Sequence, residues 1–482
     1  MINNKNILLN TDSYKMSHYL QYPPKTTKIF SYIESRGSKY SDCILFFGLQ
    51  AFLKEYLSTP ITEENIIEAK NFSEQHGLPF NEEGWRYILT KHNGILPLRI
   101  RAVPEGILYP THEVLVTVEN TDDKCFWLTS YIETALLRGV WYPSSVATIS
   151  MLCKNKILKA LEETSDDPKS EIDFKLHDFG ARGVNTLEGA EIGGMAHLVN
   201  FKGTDTISGI KAAMKYYNSG MCGFSIPAAE HSTMTAWGRE NEKMAYKNMV
   251  EQFSKPNSIF AVVSDSYDVF NAIENIWCGT ENLLDMVEKT GGTVVIRPDS
   301  GDPTQVPIQV IELLMNHRGF TLNSKGYKVL PKYVRVIQGD GIDLESIGVI
   351  LENMKKHGLS ASNIAFGMGG GLLQQVNRDT FKWAMKCSAA IIDDKDVDVY
   401  KDPITDVNKK SKKGFITLAY VTDGLSFDDL VTVNRKNLST KRDTTDIMKD
   451  YYYNGIIERS FVNFDTIRER ASKSLDTMGF KL

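Results

Sequence analysis

Seven short apolar runs between residues 176 and 371 each end in a cluster of polar residues or glycines. Several of these runs, such as residues 259–263 and 293–296, are rich in β-branched side chains, which is typical of buried parallel strands. The active site of a β/α barrel lies at the C-terminal ends of its strands, so the pattern predicts an enzyme built on such a barrel. The polar clusters are His177–Gly180, Lys202–Asp205, Glu230–Ser232, Ser264–Ser266, Arg297–Ser300, Gln338–Gly341 and Gly367–Gly371.

Amphipathic helical patterns follow several of the predicted strands. One of them has Asp343 as a candidate N-cap and Gly358 as its C-terminal glycine. Strand ends recur at roughly 25–40 residues, near the ~30 residues expected for one unit of a barrel. The α/β chain is therefore predicted to contain an irregular (β/α) barrel over residues 151–385, and an eighth strand is expected near residues 389–392.

The two ends of the chain have a different pattern. Residues 27–34 alternate like a half-buried strand, residues 98–117 suggest short strands, and a final helix is expected near residues 464–475. These elements predict a mixed α+β domain beside the barrel, formed by an N-terminal segment 1–150 and a C-terminal segment 386–482.

Composition excludes several classes of function. The 482 residues carry a net charge of −5, so no global basic field indicates binding to nucleic acid or to an anionic membrane. No apolar stretch approaches the ~18 residues needed to cross a bilayer, and the first residues lack the apolar core of a secretory signal. The six cysteines are scattered without a CxxC pair, which is typical of reduced thiols in a cytoplasm. The expected location is therefore cytoplasmic.

Two candidate elements leave alternatives open. The run Gly367–Gly371 lacks the Gly-Lys-Ser/Thr of a P-loop, and it is either a glycine-rich turn or a set of backbone N–H groups that binds a phosphate. His231 follows an apolar strand, and it is either a structural histidine or a proton carrier or nucleophile toward phosphate. The remaining histidines show no spacing typical of zinc ligands, so the sequence predicts no zinc site.

Carboxylates and a basic run add further candidates. Asp205, Asp265, Asp299 and Asp340 each end a strand, where an aspartate is often only a helix N-cap. If they converge on one rim, their mutual repulsion calls for cations or hydroxyl groups, which a Mg²⁺-bound diphosphate and a ribose would supply. The basic run 409–413 is either a solvated loop or a segment that closes over anionic phosphates.

Eight segments carry a resemblance to a known family. The chain resembles the nicotinamide phosphoribosyltransferases, which are type II phosphoribosyltransferases, from residue 9 to about residue 414. The resemblance implies the coupling of nicotinamide to phosphoribosyl pyrophosphate, which gives nicotinamide mononucleotide and pyrophosphate with Mg²⁺. The matching segments are Thr11–Lys15, Lys175–Gly180, His197–Thr206, Pro227–Trp237, Val262–Asp268, Ile296–Gly301, Val336–Gly341 and Gly369–Leu373.

The resemblance also implies how the base is bound. Phe179 is expected to stack on one face of the nicotinamide ring, and Tyr14 from the second subunit of a homodimer is expected to cover the other face. Asp205 is expected to accept a hydrogen bond from the carboxamide, and an ionised Asp would repel the carboxylate of nicotinate. Arg182 and Arg297 are expected to flank the base and the sugar phosphate.

Further roles follow from the same resemblance. His231 matches the histidine that ATP phosphorylates, so ATP is expected as a co-substrate. No side chain is expected to bind Mg²⁺ directly, because the diphosphate would hold most of the ion. The other implied residues are Asp12 at the substrate, Asp299 and Asp340 at the ribose, Gly339, Gly369, Gly370 and Arg378 at the 5′-phosphate, and Arg36, Lys386, Lys401 and Lys409 at the pyrophosphate or ATP.

Three positions depart from the family pattern, and two alternative functions compete with the expected one. Ala181, Ala261 and Met368 stand where the family has other residues, which affects the fit of ligands rather than the core roles. The nearest alternative function is that of a nicotinate phosphoribosyltransferase, against which Asp205 argues. An alternative from another class is a ligand-binding or extracellular signalling protein without catalytic activity.

Overall fold

The computed structural model describes residues 6–280, 282–405, 410–421, 427–438, 444–457 and 460–478. The chain forms two compact units. The first comprises Met1–Thr148, Ala213–Ser219 and Asn377–Leu482, and the second comprises Ile149–Ala212 and Gly220–Val376. This division differs from the expected one in that residues 149–150 belong to the second unit, and residues 213–219 and 377–385 belong to the first.

The strands and α-helices are numbered in chain order. The strands are β1 Thr26–Ser35, β2 Cys43–Leu45, β3 Leu98–Ala102, β4 Leu108–Pro110, β5 Val116–Asn120, β6 Leu176–Asp178, β7 Gly203–Thr204, β8 Ile259–Val263, β9 Thr293–Arg297, β10 Thr321–Leu322, β11 Lys328–Val329, β12 Val334–Gln338, β13 Ile364–Met368, β14 Trp383–Ile392, β15 Lys395–Asp398, β16 Ile416–Tyr420, β17 Leu430–Asn434, β18 Thr445–Asp446 and β19 Lys449–Tyr453. The α-helices are α1 Leu49–Phe52, α2 Glu63–Gln75, α3 Glu82–Lys91, α4 Leu128–Tyr131, α5 Glu133–Thr164, α6 Pro168–Glu171, α7 Leu187–His197, α8 Ile207–Tyr217, α9 His231–Thr235, α10 Glu242–Phe253, α11 Val269–Asn271, α12 Leu283–Thr290, α13 Val306–Arg318, α14 Leu344–Lys356, α15 Gly370–Leu373 and α16 Phe464–Met478.

The second unit contains the predicted barrel. Six parallel strands lie in the order β7-β6-β13-β12-β9-β8, which places the C-terminal ends of all six at one edge. Their side chains are mostly buried, as expected for strands covered on both faces. The prediction of a (β/α) barrel is therefore confirmed, and the polar clusters lie together along one rim.

The segment from Phe224 to Ala229 closes the ring. Phe224 pairs in parallel with Gly203 at one edge of the sheet, and Ala228 pairs in parallel with Ala261 at the other edge. Hydrogen bonds from Thr204 N–H to the Phe224 carbonyl and from Ala261 N–H to the Pro227 carbonyl join the segment to both edges. Pro227 has no N–H to donate, which explains why this seventh member forms isolated bridges rather than a regular strand.

The expected eighth barrel strand near residues 389–392 was a wrong prediction. These residues belong to β14, which pairs antiparallel with β1 in the first unit. A short apolar run is equally compatible with either type of sheet, and only the pairing partner distinguishes them. The barrel of the second unit therefore closes with seven members.

The first unit is built from both ends of the chain. Its six-stranded antiparallel sheet has the order β15-β14-β1-β5-β3-β19, so three adjacent strands from the N-terminal segment lie between strands from the C-terminal segment. A three-stranded sheet β17-β16-β18 and a two-stranded antiparallel sheet β2-β4 belong to the same unit. This confirms the prediction that the two terminal segments together form one mixed α+β domain.

Local capping follows the sequence closely in the barrel. The Asp343 side chain accepts hydrogen bonds from the N–H groups of Glu345 and Ser346, as predicted for the N-cap of α14. The chain leaves this helix through Gly358, whose φ of +68° lies in the left-handed region that glycine adopts without strain. No helix among the described residues is long and apolar enough to cross a membrane.

A buried carboxyl group in the first unit makes stability depend on pH. Glu105 has no exposed surface, and its oxygens accept hydrogen bonds from Gln50 N–H and Tyr217 O–H, each at 3.1 Å. Burial raises the pKa of Glu105 from an ordinary 4.5 to about 7, although the hydrogen bonds act in the opposite direction. The Glu105 carboxyl group therefore binds its proton more tightly in the folded protein than in the unfolded chain.

Replacing Glu105 with Gln is expected to remove this pH dependence. Because the folded-state pKa is raised, the parent loses stability relative to the variant as pH rises from about 4.5 to about 7, by on the order of 3 kcal/mol. Urea unfolding of parent and variant at several pH values measures the difference. Glu251→Gln, at an exposed position of α10, serves as a control, and parallel pH profiles for parent and Glu105→Gln would contradict the prediction.

Candidate active site

Phe179 follows β6 directly and lies inside the barrel rim. Its N–H donates to the Met368 carbonyl at 3.0 Å, and its ring packs against the buried side chains of Val295 and Ile337. The close approach of the ring requires a glycine on the neighbouring strand, because a Cβ on Gly367 would lie 2.0 Å from the ring atom Cε2. The ring is therefore held by the barrel wall and remains partly exposed.

A polar group stands beside this ring. The His177 ring lies 5.2 Å from the Phe179 ring, and its Nε2 lies 3.0 Å from Oδ1 of Asp205. The Ser225 hydroxyl donates to the same oxygen. Burial acts to raise the pKa of Asp205, but the hydrogen bonds from His177 and Ser225, together with the charge of Arg297, hold it below its ordinary value. At neutral pH Asp205 is an ionised acceptor next to an aromatic face.

Asp178 connects the two sides of this pocket. The carboxyl group is fully buried, accepts from Gly180 N–H at 2.7 Å, and receives the Thr204 hydroxyl at 3.4 Å. The Asp178 carbonyl accepts from Asp205 N–H at 3.0 Å. The turn that carries Phe179 and the strand end that carries Asp205 are thus joined through one residue.

Arg297 and Asp299 form a second polar group on the rim. The guanidinium donates through Nε and Nη2 to the two carboxylate oxygens of Asp299 at 3.0 and 2.7 Å, which is a bidentate ion pair. The same guanidinium lies 5.7 Å from the centre of the Phe179 ring. A cation is therefore positioned at the edge of the aromatic pocket and is oriented by a carboxylate.

His231 is the first residue of α9 and faces two carboxylates. Its Nε2 lies 3.0 Å from Oδ1 of Asp265, and its Nδ1 lies 4.0 Å from Oδ2 of Asp299. Asp299 N–H donates to Oδ2 of Asp265 at 3.0 Å, so the three residues form a connected group. Burial acts to raise the pKa of Asp265, but hydrogen bonds from Ser300, His231 and the Asp299 backbone lower it. The imidazole itself is nearly half exposed.

Glycines form the remaining part of the rim. Gly369 precedes the short helix α15, and a Cβ on Gly369 would lie 3.4 Å from the Phe179 carbonyl. A Cβ on Gly339 would lie 3.1 Å from the Phe179 ring. Gly370 is partly exposed, and Asp340 is exposed. Backbone N–H groups without side chains around them suit the close approach of a phosphate.

The barrel thus brings together most of the candidates from the second unit. Arg182 is exposed in the turn that follows Phe179. Of the positions that depart from the family, Ala261 and Met368 are buried in the barrel wall, whereas Ala181 is exposed. The residues at the rim are Phe179, Arg182, Asp205, His231, Arg297, Asp299, Gly339, Asp340, Gly369 and Gly370.

The other candidates belong to the first unit. Tyr14 is 60% exposed, and Asp12 accepts a hydrogen bond from the Thr134 hydroxyl at 2.6 Å. Arg378 is exposed beside Asp379. Lys409 lies outside the described residues.

Arg36, Lys386 and Lys401 form a basic cluster within the first unit. Burial lowers the pKa of Lys386; Glu133 opposes this, and the charges of Arg36 and Lys401 add to the lowering. The Nη2 atom of Arg36 is buried and has no hydrogen-bond partner among the residues that the structure describes. This cluster favours the binding of an anion, because an anion would relieve the repulsion between the cations and would pair with the buried donor of Arg36.

Sequence reasoning missed several residues that organise the rim. His177 and Asp178 end a strand and belong to a polar cluster, so their position was a usable signal, whereas Asp265 was already a strand-end candidate. Ser225 had no such signal, because it lies two residues before Pro227 in the irregular closing segment. Its contact with Asp205 exists only because the ring closes there.

Comparison with known proteins decides the family. Residues 174–455 match the model of the nicotinate phosphoribosyltransferase family, and residues 6–100 match that of the nicotinamide phosphoribosyltransferase N-terminal domain. The chain belongs to the nicotinate phosphoribosyltransferase family. Membership in this family makes the chain an enzyme of the phosphoribosyltransferase class.

Two bacterial relatives in the family are named nicotinamide phosphoribosyltransferase. The protein from Xanthomonas campestris pv. campestris is 56% identical over 413 residues, covering 86% of this chain and 87% of its own length. The protein from Acinetobacter baylyi is 32% identical over 464 residues, covering 88% of this chain and 90% of its own length.

Solved structures with low sequence identity share the fold of this family member. Nicotinate-nucleotide pyrophosphorylase from Pyrococcus furiosus gives a TM-score of 0.62 at 15% identity, over all of this chain and 98% of its own. Human nicotinic acid phosphoribosyltransferase gives a TM-score of 0.55 at 14% identity, over 97% of this chain and 93% of its own length. The fold class predicted from the pattern of strands is that of these phosphoribosyltransferases.

Proposed function

We propose that the chain transfers the 5-phosphoribosyl group from phosphoribosyl pyrophosphate to nicotinamide, giving nicotinamide mononucleotide and pyrophosphate in NAD salvage. The observation that carries this proposal is the ionised Asp205, held by His177 and Ser225 beside the Phe179 ring. A carboxylate accepts a hydrogen bond from the amide of nicotinamide and repels the carboxylate of nicotinate. The names of the relatives support the same substrate.

The reaction needs an oriented nucleophile and stabilisation of two charges. The bond between ribose C1 and the diphosphate oxygen breaks with its electron pair on the oxygen, and the pyridine nitrogen forms a new bond to C1 from the opposite face. Phe179 and Asp205 orient the ring so that its nitrogen faces C1. Asp299 and Asp340 stabilise the positive charge that develops on the ribose, and Arg297 orients Asp299.

Phosphate groups would be bound at two places. The backbone at Gly339, Gly369 and Gly370 suits the 5′-phosphate, because a glycine has no side chain of its own to keep a phosphate away from its N–H group. The basic residues assigned to the pyrophosphate are Arg36, Lys386, Lys401 and Lys409, and Arg378 is assigned to the 5′-phosphate.

Mg²⁺ would be held by the phosphoribosyl pyrophosphate rather than by a set of side chains. Arg297 engages both oxygens of Asp299, and Asp265 accepts from His231 and from Asp299 N–H. The ion would be held by diphosphate oxygens, as is usual for Mg²⁺, and would neutralise the charge of the leaving group.

ATP is proposed to phosphorylate His231. Asp265 accepts a hydrogen bond from the Nε2–H of the imidazole, which leaves the lone pair on Nδ1 as the nucleophile. Nδ1 forms a bond to the γ-phosphorus as the bond to ADP breaks, and water later hydrolyses the phosphohistidine. Asp265 is thus a positioning residue that selects the reactive tautomer.

A homodimer is proposed to complete the pocket with Tyr14 from the second copy. The exposure of this side chain in its own unit supports the proposal. Mixing Tyr14→Ala chains with Phe179→Ala chains is expected to restore up to about a quarter of the parental activity, because a random mixture forms heterodimers with one intact pocket. Failure of the mixture to exceed the two separate variants would contradict a shared pocket.

A paired assay tests the main proposal. Purified protein with phosphoribosyl pyrophosphate and Mg²⁺, with and without ATP, is expected to show a kcat/KM for nicotinamide at least about 100-fold above that for nicotinate. Preference for nicotinate would support the alternative nicotinate phosphoribosyltransferase. If neither base yields a mononucleotide, the ligand-binding or signalling alternative is favoured.

Asp178 offers a test of how the pocket is positioned. Burial is the main cause that raises the pKa of Asp178, so Asn is a close neutral substitute. Asp178→Ala is expected to lower kcat/KM for nicotinamide by about 100-fold, because the Gly180 N–H and the Thr204 hydroxyl, next to Phe179 and Asp205, lose their common side-chain acceptor. Asp178→Asn should recover most of this loss. Steady-state kinetics with each substrate measures the effect, and equal losses in both variants would contradict a positioning role.

A further inference from the structure

Three side chains of metal-binding type meet in the first unit, outside the proposed active-site residues. These are His92, Asp122 and Cys125, and their ligand atoms all lie within 4.8 Å of one another. No other group of three or more His, Cys, Asp or Glu residues of this kind occurs in the described part of the chain. The spacing of 92, 122 and 125 matches no zinc motif, which is why the sequence predicted no zinc site.

The backbone fixes the positions of all three residues. His92 caps the end of α3, with its N–H donating to the Ile88 carbonyl at 3.0 Å. Asp122 precedes the 3₁₀ turn Asp123–Cys125 and caps it by accepting from Lys124 N–H at 2.8 Å. Cys125 N–H donates to the Asp122 carbonyl at 3.0 Å. The cluster therefore needs no ordering of mobile loops before it binds a ligand.

We propose that His92 Nε2, Asp122 Oδ2 and Cys125 Sγ bind one zinc ion, with water as the fourth ligand. Nitrogen, oxygen and thiolate ligands together suit Zn²⁺ and Co²⁺ and are poorly suited to Mg²⁺. On binding, the thiol proton of Cys125 leaves to solvent, and the ring proton of neutral His92 moves to Nδ1. One proton is released for each ion bound.

The distances fit this assignment. Nε2 of His92 and Oδ2 of Asp122 are 3.0 Å apart, and two such ligands of a tetrahedral zinc ion lie about 3.3 Å apart. The ion would replace the proton that the two atoms now share. The Cys125 thiol must approach the other two ligands by at most about 1.2 Å, because the three ligand atoms lie within 4.8 Å of one another and a sulfur and a nitrogen ligand lie about 3.6 Å apart around zinc.

Outer hydrogen bonds and access also suit an ion. The Tyr87 hydroxyl donates to Oδ2 of Asp122 at 3.0 Å, and ligating carboxylates commonly have such a partner. The side chains of His92 and Asp122 are 25% and 21% exposed, so an ion can reach them, while Cys125 is buried. The ion would join the end of α3 to the turn after β5 and so stabilise the first unit.

Cobalt titration of the full-length protein tests the site. After treatment with a chelator, Co²⁺ is expected to produce a thiolate-to-cobalt charge-transfer band and the strong visible bands of a four-coordinate ion, and Zn²⁺ should remove both at one ion per chain. Cys125→Ser should abolish the charge-transfer band. Cys153→Ser, which alters another buried thiol, should retain it. His92→Gln should bind Zn²⁺ at least about 10-fold more weakly.

The proposal is overturned if the parent shows no charge-transfer band, or if the band persists in Cys125→Ser. If circular dichroism shows that Cys125→Ser is unfolded, His92→Gln and Asp122→Asn decide the question by their affinity for Zn²⁺. Affinities equal to that of the parent in both variants would also overturn the proposal. The proposal is independent of the reaction at the barrel rim, because every readout concerns the metal ion.

Discussion

Asp205→Asn is expected to lower the preference for nicotinamide over nicotinate by about 100-fold. The charge that repels nicotinate disappears, and the new amide can donate to a carboxylate. Part of the loss comes from nicotinamide itself, because the amide must now satisfy His177 and Ser225 in place of an ionised acceptor. The ratio of kcat/KM values for the two bases, measured in the same preparation, reports the change.

The matched control for Asp205→Asn is Asp285→Asn. Asp285 is a carboxylate on α12 that pairs with Arg318, so its replacement also removes one negative charge from the second unit. This control should leave the ratio of the two bases unchanged. An unaltered ratio in Asp205→Asn would show that the carboxylate does not select the base.

His231→Ala is expected to abolish the stimulation of turnover by ATP, while the dissociation constant for nicotinamide changes by no more than about 3-fold. The variant has no imidazole to accept the γ-phosphate, whereas the contacts of Phe179 and Asp205 remain. Turnover with and without ATP, together with the binding of nicotinamide, measures the two effects separately. A radiolabelled γ-phosphate should appear on the parent protein and not on the variant.

The control for the ATP experiment is His357→Ala. His357 is half exposed at the end of α14, where it pairs with Glu312. It should keep full stimulation by ATP. A parent and a His231→Ala variant that respond equally to ATP would reject the phosphohistidine. Asp265→Asn should lie between them, because an amide orients the imidazole less firmly than a carboxylate does.

Local pattern explains why much of the barrel was predictable. A buried parallel strand requires a short apolar run, and the chain must then turn at the rim, so polar residues and glycines follow it. Asp343 and Gly358 had similarly local signatures, and both cap α14 as predicted. The same reasoning failed for β14, because a short apolar run does not reveal whether its partner is parallel or antiparallel.

The contacts within the site were not predictable in the same way. His177 reaches Asp205 across adjacent strands, and Asp265 reaches His231 across 34 positions of sequence. Ser225 contacts Asp205 because the segment that contains Pro227 closes the ring, although a proline weakens the sequence pattern that would predict a strand. Such contacts depend on which strands become neighbours, and no local period encodes that choice.

Strand ends, helix caps and the residue types that phosphoribosyl chemistry needs can be recognised in the sequence, because they depend on side-chain periodicity and on motifs contiguous along the chain. The tertiary structure alone decided that the barrel closes with seven members and that Asp178 links Phe179 to Asp205. It also brought His92 to Asp122 and Cys125. The physical reason is that these arrangements arise from long-range closure of the chain, in which the packing and pairing of distant segments are stabilised together.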